Sequence, residues 1–529
     1  MSDKLRITGL ATGLDVDSIV KQMMKAENMK LDTIKQNRQY LQWKQDAYRD
    51  ILSDINTLKA TYLDVLKGDN YILSPNAYSV FDVTSVDSTN SSLPPTATAT
   101  AGYGAKAGVY SITVNSIAKA AKVEGASITA TKSTTLKDLG VSGNFIITIT
   151  SNGKSTDVVL NKTDRISDAI NKINSAGSGV FKAEFSELTG KFRIMTVGTG
   201  EDKDIKVEDT SGNITNLGIS TGDLGQDKKG SNASVTITNP DGETANVTKS
   251  TNTFTIDGVT YNLQSEDGTR TSKITITQNI QKSFDKIKAF IDKYNEIITK
   301  IQTKLTEKKE YSYKPLTDDQ KKDMKEDEIK KWEEKAKQGI LSGDSMLQNM
   351  LYSLRRAFYD KVEGAGISLS EVGLSTSSDF TQGGKIIIDE AKLKDALQNK
   401  GDLVAKIFSQ DSDIKYDPDH KTDGGRYNQI GIFQRINDIL KDYTRTTRDS
   451  NGNKGILIRT AGITGDISEF DNIITKQLTN DYDKRIKDMQ SRLAQKEETY
   501  YKQFSQLETA MQKLNDQSNW LMQQLGVGS

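Results

Sequence analysis

Apolar side chains recur every seven positions at both ends of the chain. The C-terminal column is Ile486, Leu493, Tyr500, Leu507, Leu514 and Leu521, unbroken over six repeats. That interval keeps the side chains on one slowly winding stripe of a helix. The column three residues further on, Met489, Lys496, Gln503, Ala510, Gln517 and Gln524, is mostly polar. A seam this narrow gives a helix too little apolar face to be stable alone. Near the N-terminus a second column reads Ile34, Leu41, Tyr48, Ile55 and Tyr62. It follows the apolar positions Ile19, Val20, Met23, Met24 and Leu31. Two such helices can complete each other or complete a neighbouring subunit, which is the pattern of an assembly protein. The positions expected to carry that interface are Ile19, Met23, Leu31, Ile34, Leu41, Tyr48, Ile486, Leu493, Tyr500, Leu507, Leu514 and Leu521.

The N-terminal helix is expected to follow Gly9 and Gly13, with Asp15 or Asp17 as its cap, and to run through Leu66 to a stop at Gly68-Asp69. None of the six prolines (Pro75, Pro94, Pro95, Pro240, Pro315, Pro418) falls in the first 74 residues or after Pro418, so both ends lack helix breakers. Residues 78–277 change character, with Thr, Ser, Gly and Asn dominant. Tyr110-Ser-Ile112-Thr-Val114, Val235-Thr-Ile237, Phe254-Thr-Ile256 and Ile274-Thr-Ile276 alternate as strands do. Asn152-Gly153 and Asp257-Gly258 are strong hairpin turns. One helix interrupts the strands, with Ile166, Ala169, Ile170 and Ile173 at helical spacing. From residue 278 the helical period returns. Ile280 to Leu305 forms one amphipathic pattern and Leu347, Met350, Leu351, Leu354 and Phe358 another. Thr317 and Gln320 form a capping box, and the charged run 321–328 reads as a solvated helix face. A short strand, Ile386-Ile387-Ile388, precedes a helix carrying Leu393, Ala396 and Leu397.

The fold class is therefore α+β and multidomain: terminal coiled-coil helices, a helical core domain and two inserted β-rich domains. The expected divisions are a coiled-coil leg, 1–42, pairing with 480–529; a helical core, 43–77 and 278–479; a β-rich domain, 78–125 and 231–277; and an inserted β-rich tip, 126–230.

Composition narrows the function. Lys plus Arg and Asp plus Glu both number 71, so the chain lacks the basic balance that marks nucleic-acid binding or an anionic membrane surface. Cysteine is absent and His420 is the single histidine, which removes disulfides, thiol nucleophiles and zinc sites of the usual kind. Charged residues interrupt every apolar run in residues 1–30, so no cleaved secretory leader is expected. No segment approaches the roughly 20 apolar residues of a membrane helix, so no membrane insertion is expected. Asp411, Asp413, Asp417, Asp419 and Asp423 cluster, but their spacing fails the calcium-loop order, and a solvated acidic loop is the weightier reading. Asp449, Asn451 and Asn453 are similar, with Lys454 where glycine would be required. Gly102-Tyr-Gly104 precedes a strand, not the helix that a dinucleotide loop needs. His420 lies in a polar loop and reads as surface. No Walker, Gly-x-Ser-x-Gly or His-Glu-x-x-His motif occurs, so no enzyme activity and no cofactor are expected.

Several stretches together resemble the flagellar filament cap family (FliD-type, or hook-associated protein 2). They are Gly9-Leu-Ala-Thr-Gly-Leu-Asp-Val-Asp-Ser-Ile-Val20, the β segment Val109-Tyr-Ser-Ile-Thr-Val-Asn-Ser-Ile-Ala118, and residues 135–199, similar to a repeat shared among flagellins, with Ile173-Asn174 closing its helix. Tyr313-Lys-Pro-Leu-Thr317, Trp332-Glu-Glu-Lys-Ala336 and Leu341-Ser-Gly-Asp-Ser345 resemble the form found in Gram-positive members, and Gln503-Phe-Ser-Gln-Leu-Glu508 resembles the terminal coil. Asn115-Ser116-Ile117-Ala118 departs from the family's usual Gln-Leu-Ala. The resemblance implies a closed ring of identical subunits, a pentamer, at the distal tip of the filament, where it would promote folding and insertion of exported flagellin. It further implies contact with hook–filament junction proteins, a flagellar export chaperone for the C-terminal coil, and secretion through the flagellar export apparatus to the cell exterior. The even charge balance gives no reason to expect a nucleic-acid partner. Two rival readings are another hook-associated or filament component and a surface adhesin whose β-rich domains bind host glycan or mucin. A cell-surface enzyme is a third, and the failed motifs weigh against it.

Overall fold

The computed structural model describes residue 13 and residues 15–68, 70–419 and 424–524. Gly9, Asp69, His420 and Asp423, singled out above, lie outside them. The chain is α+β and forms two compact units. One is helical and combines Met1–Ala77, Asp285–Ala396 and Leu403–Ser529; the other combines Tyr78–Phe284 with Leu397–Asp402.

In the helical unit the N-terminal helix spans Val16–Leu58. Asp15 is the cap: its carboxylate accepts from the Ser18 amide at 3.0 Å, while Asp17 lies in the first turn, where a negative charge meets the positive end of the helix dipole. The helix closes with a wider π turn, Lys59–Leu63, three residues short of the expected Leu66. Asp64 turns extended there, and its carboxylate accepts from the Leu66 amide, an arrangement that competes with another helical turn. Ile51, Ile55 and Leu58 are fully buried. Around them the unit closes on an aromatic column in which Phe290 lies 4.5 Å from Phe433, and Phe433 stacks on Phe408 at 4.6 Å.

Arg435 is wholly buried, and its guanidinium bonds backbone carbonyls rather than a carboxylate. Its guanidinium donates to the carbonyls of Tyr427, Asp360 and Lys361 at 2.6–2.8 Å. Two of these lie just past the helix Ser345–Tyr359, whose terminal carbonyls have no partners within the helix. A cation at that end also complements the helix dipole, which offsets part of the cost of burying it.

The other unit is built from fifteen strands: β1 (Phe81–Asp87), β2 (Ala97–Ala101), β3 (Gly108–Ser116), β4 (Lys122–Glu124), β5 (Phe145–Ser151), β6 (Lys154–Leu160), β7 (Phe181–Ser186), β8 (Lys191–Thr196), β9 (Asp204–Glu208), β10 (Lys228–Lys229), β11 (Ala233–Thr238), β12 (Thr244–Lys249), β13 (Thr253–Ile256), β14 (Val259–Leu263) and β15 (Asp267–Gln278). A five-stranded sheet, β1-β15-β3-β11-β12, and a three-stranded sheet, β13-β14-β2, enclose one core, which includes Tyr110, Ile112, Val235, Tyr261 and Ile274. The sheets β10-β9-β5-β6 and β4-β8-β7, with the helix Ile166–Gly177, enclose a second core, which includes Ile147, Ile149, Ile173, Phe192 and Ile194. In sequence the second core, 121–219, falls between the two halves of the first, 97–118 and 233–276.

Both expected hairpins form. Asn152 and Gly153 have φ of 51° and 72°, Asp257 and Gly258 of 47° and 74°, the left-handed pairs that a two-residue turn between twisted strands requires. The helix Ile166–Gly177 runs three residues past Asn174 to a left-handed Ser178. Asn174 does not end it. Its side-chain oxygen instead accepts from the Ala183 amide at 2.7 Å and ties the helix to β7.

Candidate assembly interface

The C-terminal helix, Lys484–Gln524, runs antiparallel to the N-terminal helix. Arg38 pairs with Asp483 at 2.6 Å, Lys496 with Glu27, and the Tyr501 hydroxyl donates to Asp17 at 2.9 Å. As one chain number falls the other rises, so the paired stretch spans 17–38 on one helix and 483–501 on the other. The Lys496 ammonium holds the Glu27 carboxyl below its ordinary range. Such exposed pairs set register more than they set stability.

Within this hairpin Leu31 and Leu493 are buried, and Ile19, Ile34, Leu41, Ile486 and Tyr500 are half-buried. Met23 is exposed. Tyr48 faces elsewhere: its hydroxyl donates to Asp344, the cap of the helix Ser345–Tyr359, inside the helical body. Burial, and then the Asp344 carboxylate, push this phenol far above its usual range. Val16 and Val20, absent from the expected set, are both buried, and their i, i+4 spacing is the signal that would have found them.

The stripe then outruns its cover. Leu507, Leu514 and Leu521 are 45%, 57% and 51% exposed, and of the side chains between Ser505 and Met522 every one except Glu508 is exposed. This length of helix is about 27 Å. The column three residues on is mostly polar, and the apolar companion column lies four residues on. Phe504, Leu507, Met511, Leu514 and Leu521 alternate at intervals of three and four, with Ser518 as the polar gap, so a two-column seam exists only in this distal half. Gln490 and Glu497 occupy the same column nearer the body, where the N-terminal helix supplies the cover.

The candidate chemical sites resolve into local turns. Asp411 pairs with Arg426 at 3.2 Å, Asp417 accepts from the Asp419 amide, and Asp419 accepts from Ser450. Asp449 accepts from the Asn451 and Asn453 amides and pairs with Arg445 at 2.9 Å. Among the described residues no group of three or more His, Asp or Glu side chains is placed to hold a metal. Gly102-Tyr-Gly104 is the turn entering β3. The run 321–328 is not one helix face: it spans the helices Asp318–Lys322 and Glu326–Lys337, broken between them, and Thr317 and Gln320 make the expected reciprocal cap on the first. No described helix is long and apolar enough to cross a membrane.

A family model described as the flagellar hook-associated protein 2 C-terminus matches residues 230–516, and its N-terminal counterpart matches 12–121. The chain belongs to the flagellar hook-associated protein 2 (FliD) family. It is 30% identical to flagellar hook-associated protein 2 of Halalkalibacterium halodurans, over 98% of this chain and 99% of that one. It is 26% identical to the Escherichia coli protein of the same description, over 98% and 97% of the two chains. A crystal structure of the D1-D2-D3 domains of the Escherichia coli flagellar cap protein FliD aligns at 21% identity and a TM-score of 0.49, covering 76% of this chain and 97% of that one.

Proposed function

We propose that the protein caps the growing flagellar filament as a closed ring of its own copies and promotes folding and insertion of exported flagellin beneath it. The observation that carries this is the distal stripe. Phe504, Leu507, Met511, Leu514 and Leu521 form a two-column seam that, beyond the half-buried Phe504, is left open in the single chain. A cap must end growth, so its contacts have to close on themselves. In this reading the expected interface positions split in function. Leu31, Ile34, Ile486 and Leu493 join the two helices of one leg, while Leu507, Leu514 and Leu521 meet partner helices. The domain divisions read from the sequence place a leg at 1–42 with 480–529, a helical core behind it, and the inserted tip 126–230. Hook–filament junction proteins, an export chaperone holding the open stripe before secretion, and passage through the flagellar export apparatus to the cell exterior complete the proposal.

The test is native mass spectrometry of the full chain over a range of concentrations. A discrete oligomer, a pentamer on this reading, is the expected result. A strict monomer at every concentration, or open-ended filaments of this chain alone, overturns it.

A further inference from the structure

The segment between the helices Ile280–Thr306 and Ser345–Tyr359 is closed at its neck and folded on itself. The Gly343 amide donates to the Leu305 carbonyl at 3.0 Å, and the Gly339 amide to the Glu307 carboxylate at 3.0 Å. Gly339 has φ of +66°, and any β-carbon there would stand 2.7 Å from the Lys309 backbone, so the two sides of the neck touch through a position where a side chain does not fit. Inside the loop the Trp332 indole donates to the Lys314 carbonyl at 2.8 Å, its ring meets that of Tyr313 at 4.7 Å, and Lys321 pairs with Glu333 at 2.7 Å. Leu316, Ala336 and Ile340 are buried.

This closed loop lies along the N-terminal helix. Asp318 pairs with Lys35 at 2.6 Å, and the Pro315 carbonyl accepts from the Gln36 amide group at 2.7 Å. The Lys309 ammonium sits 4.4 Å from the Tyr40 ring centroid and that of Lys337 4.9 Å from that of Trp43. Positions 36, 40 and 43 share one helix face. Arg38, which bonds the C-terminal helix through Asp483, is two residues from Gln36, about 200° around the axis. The N-terminal helix is therefore gripped from two sides, by the loop on one and by the C-terminal helix on the other.

We propose that residues 307–344 form a clasp that holds the middle of the N-terminal helix to the helical body independently of the C-terminal helix, so that the C-terminal helix can be given up to a partner and retaken while its neighbour stays folded and in place. The grips differ in kind. The clasp brings two cation–aromatic contacts, the Lys35–Asp318 ion pair and the Gln36–Pro315 hydrogen bond to residues 35–43. The C-terminal helix is held by polar pairs, among them Arg38–Asp483, Lys496–Glu27 and Tyr501–Asp17, and by the burial of Leu493 in its column. The inference does not rest on ring formation; it concerns which of two helices is free to leave.

Hydrogen exchange of the full-length chain, read by mass spectrometry on peptides covering 30–45 and 490–505, tests it. Lys309→Ala with Lys337→Ala removes both cation–aromatic contacts and leaves the Trp332–Lys314 and Lys321–Glu333 bonds inside the loop in place; Trp332→Ala is the more severe companion. Either should speed exchange of 30–45 by about tenfold, with the helical signal in circular dichroism retained. Leu493→Ser with Lys496→Glu loosens the other grip. It should speed exchange of 490–505 by a similar factor and leave 30–45 within about twofold of the parent. Unchanged 30–45 exchange in both clasp variants overturns the proposal. So does equal loss of protection at 30–45 in the Leu493/Lys496 variant, which would make the C-terminal helix the true support.

Discussion

Tyr501 donates a 2.9 Å hydrogen bond to Asp17, a residue 484 positions away that lies in the first turn of the N-terminal helix. Beyond Tyr501 the C-terminal helix continues to Gln524 with its apolar stripe open. On the proposed function, the proximal half of this helix serves the single chain and the distal half its assembly.

A triple change of Leu507, Leu514 and Leu521 to Ala should separate these halves. The three side chains are already about half exposed in the single chain, so its unfolding midpoint should barely move, in keeping with surface substitutions that cost within about 0.5 kcal/mol. Buried against partner helices, each would cost about 2–5 kcal/mol. The expected outcome is a normally melting monomer that forms no ring in native mass spectrometry. A variant that assembles as well as the parent would show that the stripe has no partner.

Phe290→Ala should do the reverse. Phe290 is fully buried, with Phe433 on one side and the Tyr62 ring edge-on at 5.8 Å on another. Emptying that site should cost about 3–5 kcal/mol. A urea titration should show an earlier midpoint of the helical transition. A shift within error would mean that the column collapses around the gap without loss.

Much of this was readable in the chain, and the parts that were not share a cause. Period and turn chemistry are local, so the terminal columns, the Asn152-Gly153 and Asp257-Gly258 hairpins and the Thr317–Gln320 box could all be found from spacing alone. A column says which side chains share a face and nothing about what covers it. Tyr48 continues the N-terminal column yet faces Asp344 in the body, and Leu507 continues the C-terminal column yet faces solvent. Phe504 and Met511 were missed because a companion column can lie three or four residues on, and only the first was read. The clasp was invisible for another reason. Its grips on the N-terminal helix join Lys309, Pro315, Asp318 and Lys337 to residues about 270–295 positions earlier through polar and cation–aromatic contacts, which carry no period.

Gly462→Ala should unsettle a buried polar hub. Gly462 follows the helix Ile456–Ala461 with φ of +71°, and a β-carbon there would stand 2.2 Å from the Ser468 carbonyl oxygen and 2.7 Å from the Asn472 side-chain nitrogen. Gln45, buried in the N-terminal helix, donates to the Ala461 carbonyl and the Asn472 side chain within the same cluster. Left-handed strain alone costs about 1–3 kcal/mol, and displacing Asn472 adds to it. Denaturant unfolding of the variant should fall short of the parent by at least the lower figure; equal stability would mean that the 461–472 turn shifts freely.

The final prediction concerns acid. Glu124 on β4 lies opposite Arg193 on β8, which pairs with it at 2.6 Å, and Lys191 and Lys122 reach the same carboxylate at 2.9 and 3.1 Å. Lys191 first, then Lys122, hold its pKa down to about 2 against the opposing effect of burial. In an unfolded chain the same carboxyl titrates near 4.3. Because the folded value is the lower one, the stability this group contributes is fully present above about pH 4.3 and is lost as pH falls through about 2. Other carboxylates titrate in the same window, so the parent's melting curve alone does not isolate Glu124. The difference between the parent and Glu124→Gln does. Followed by the β-sheet signal in circular dichroism, the melting temperature of the parent should exceed that of the variant at pH 6, the gap should narrow between pH 4.3 and pH 2, and the two should coincide at the acid end. A gap that stays constant over the whole range would mean that the glutamine acts through packing, and that three cations around one carboxylate contribute nothing through its charge.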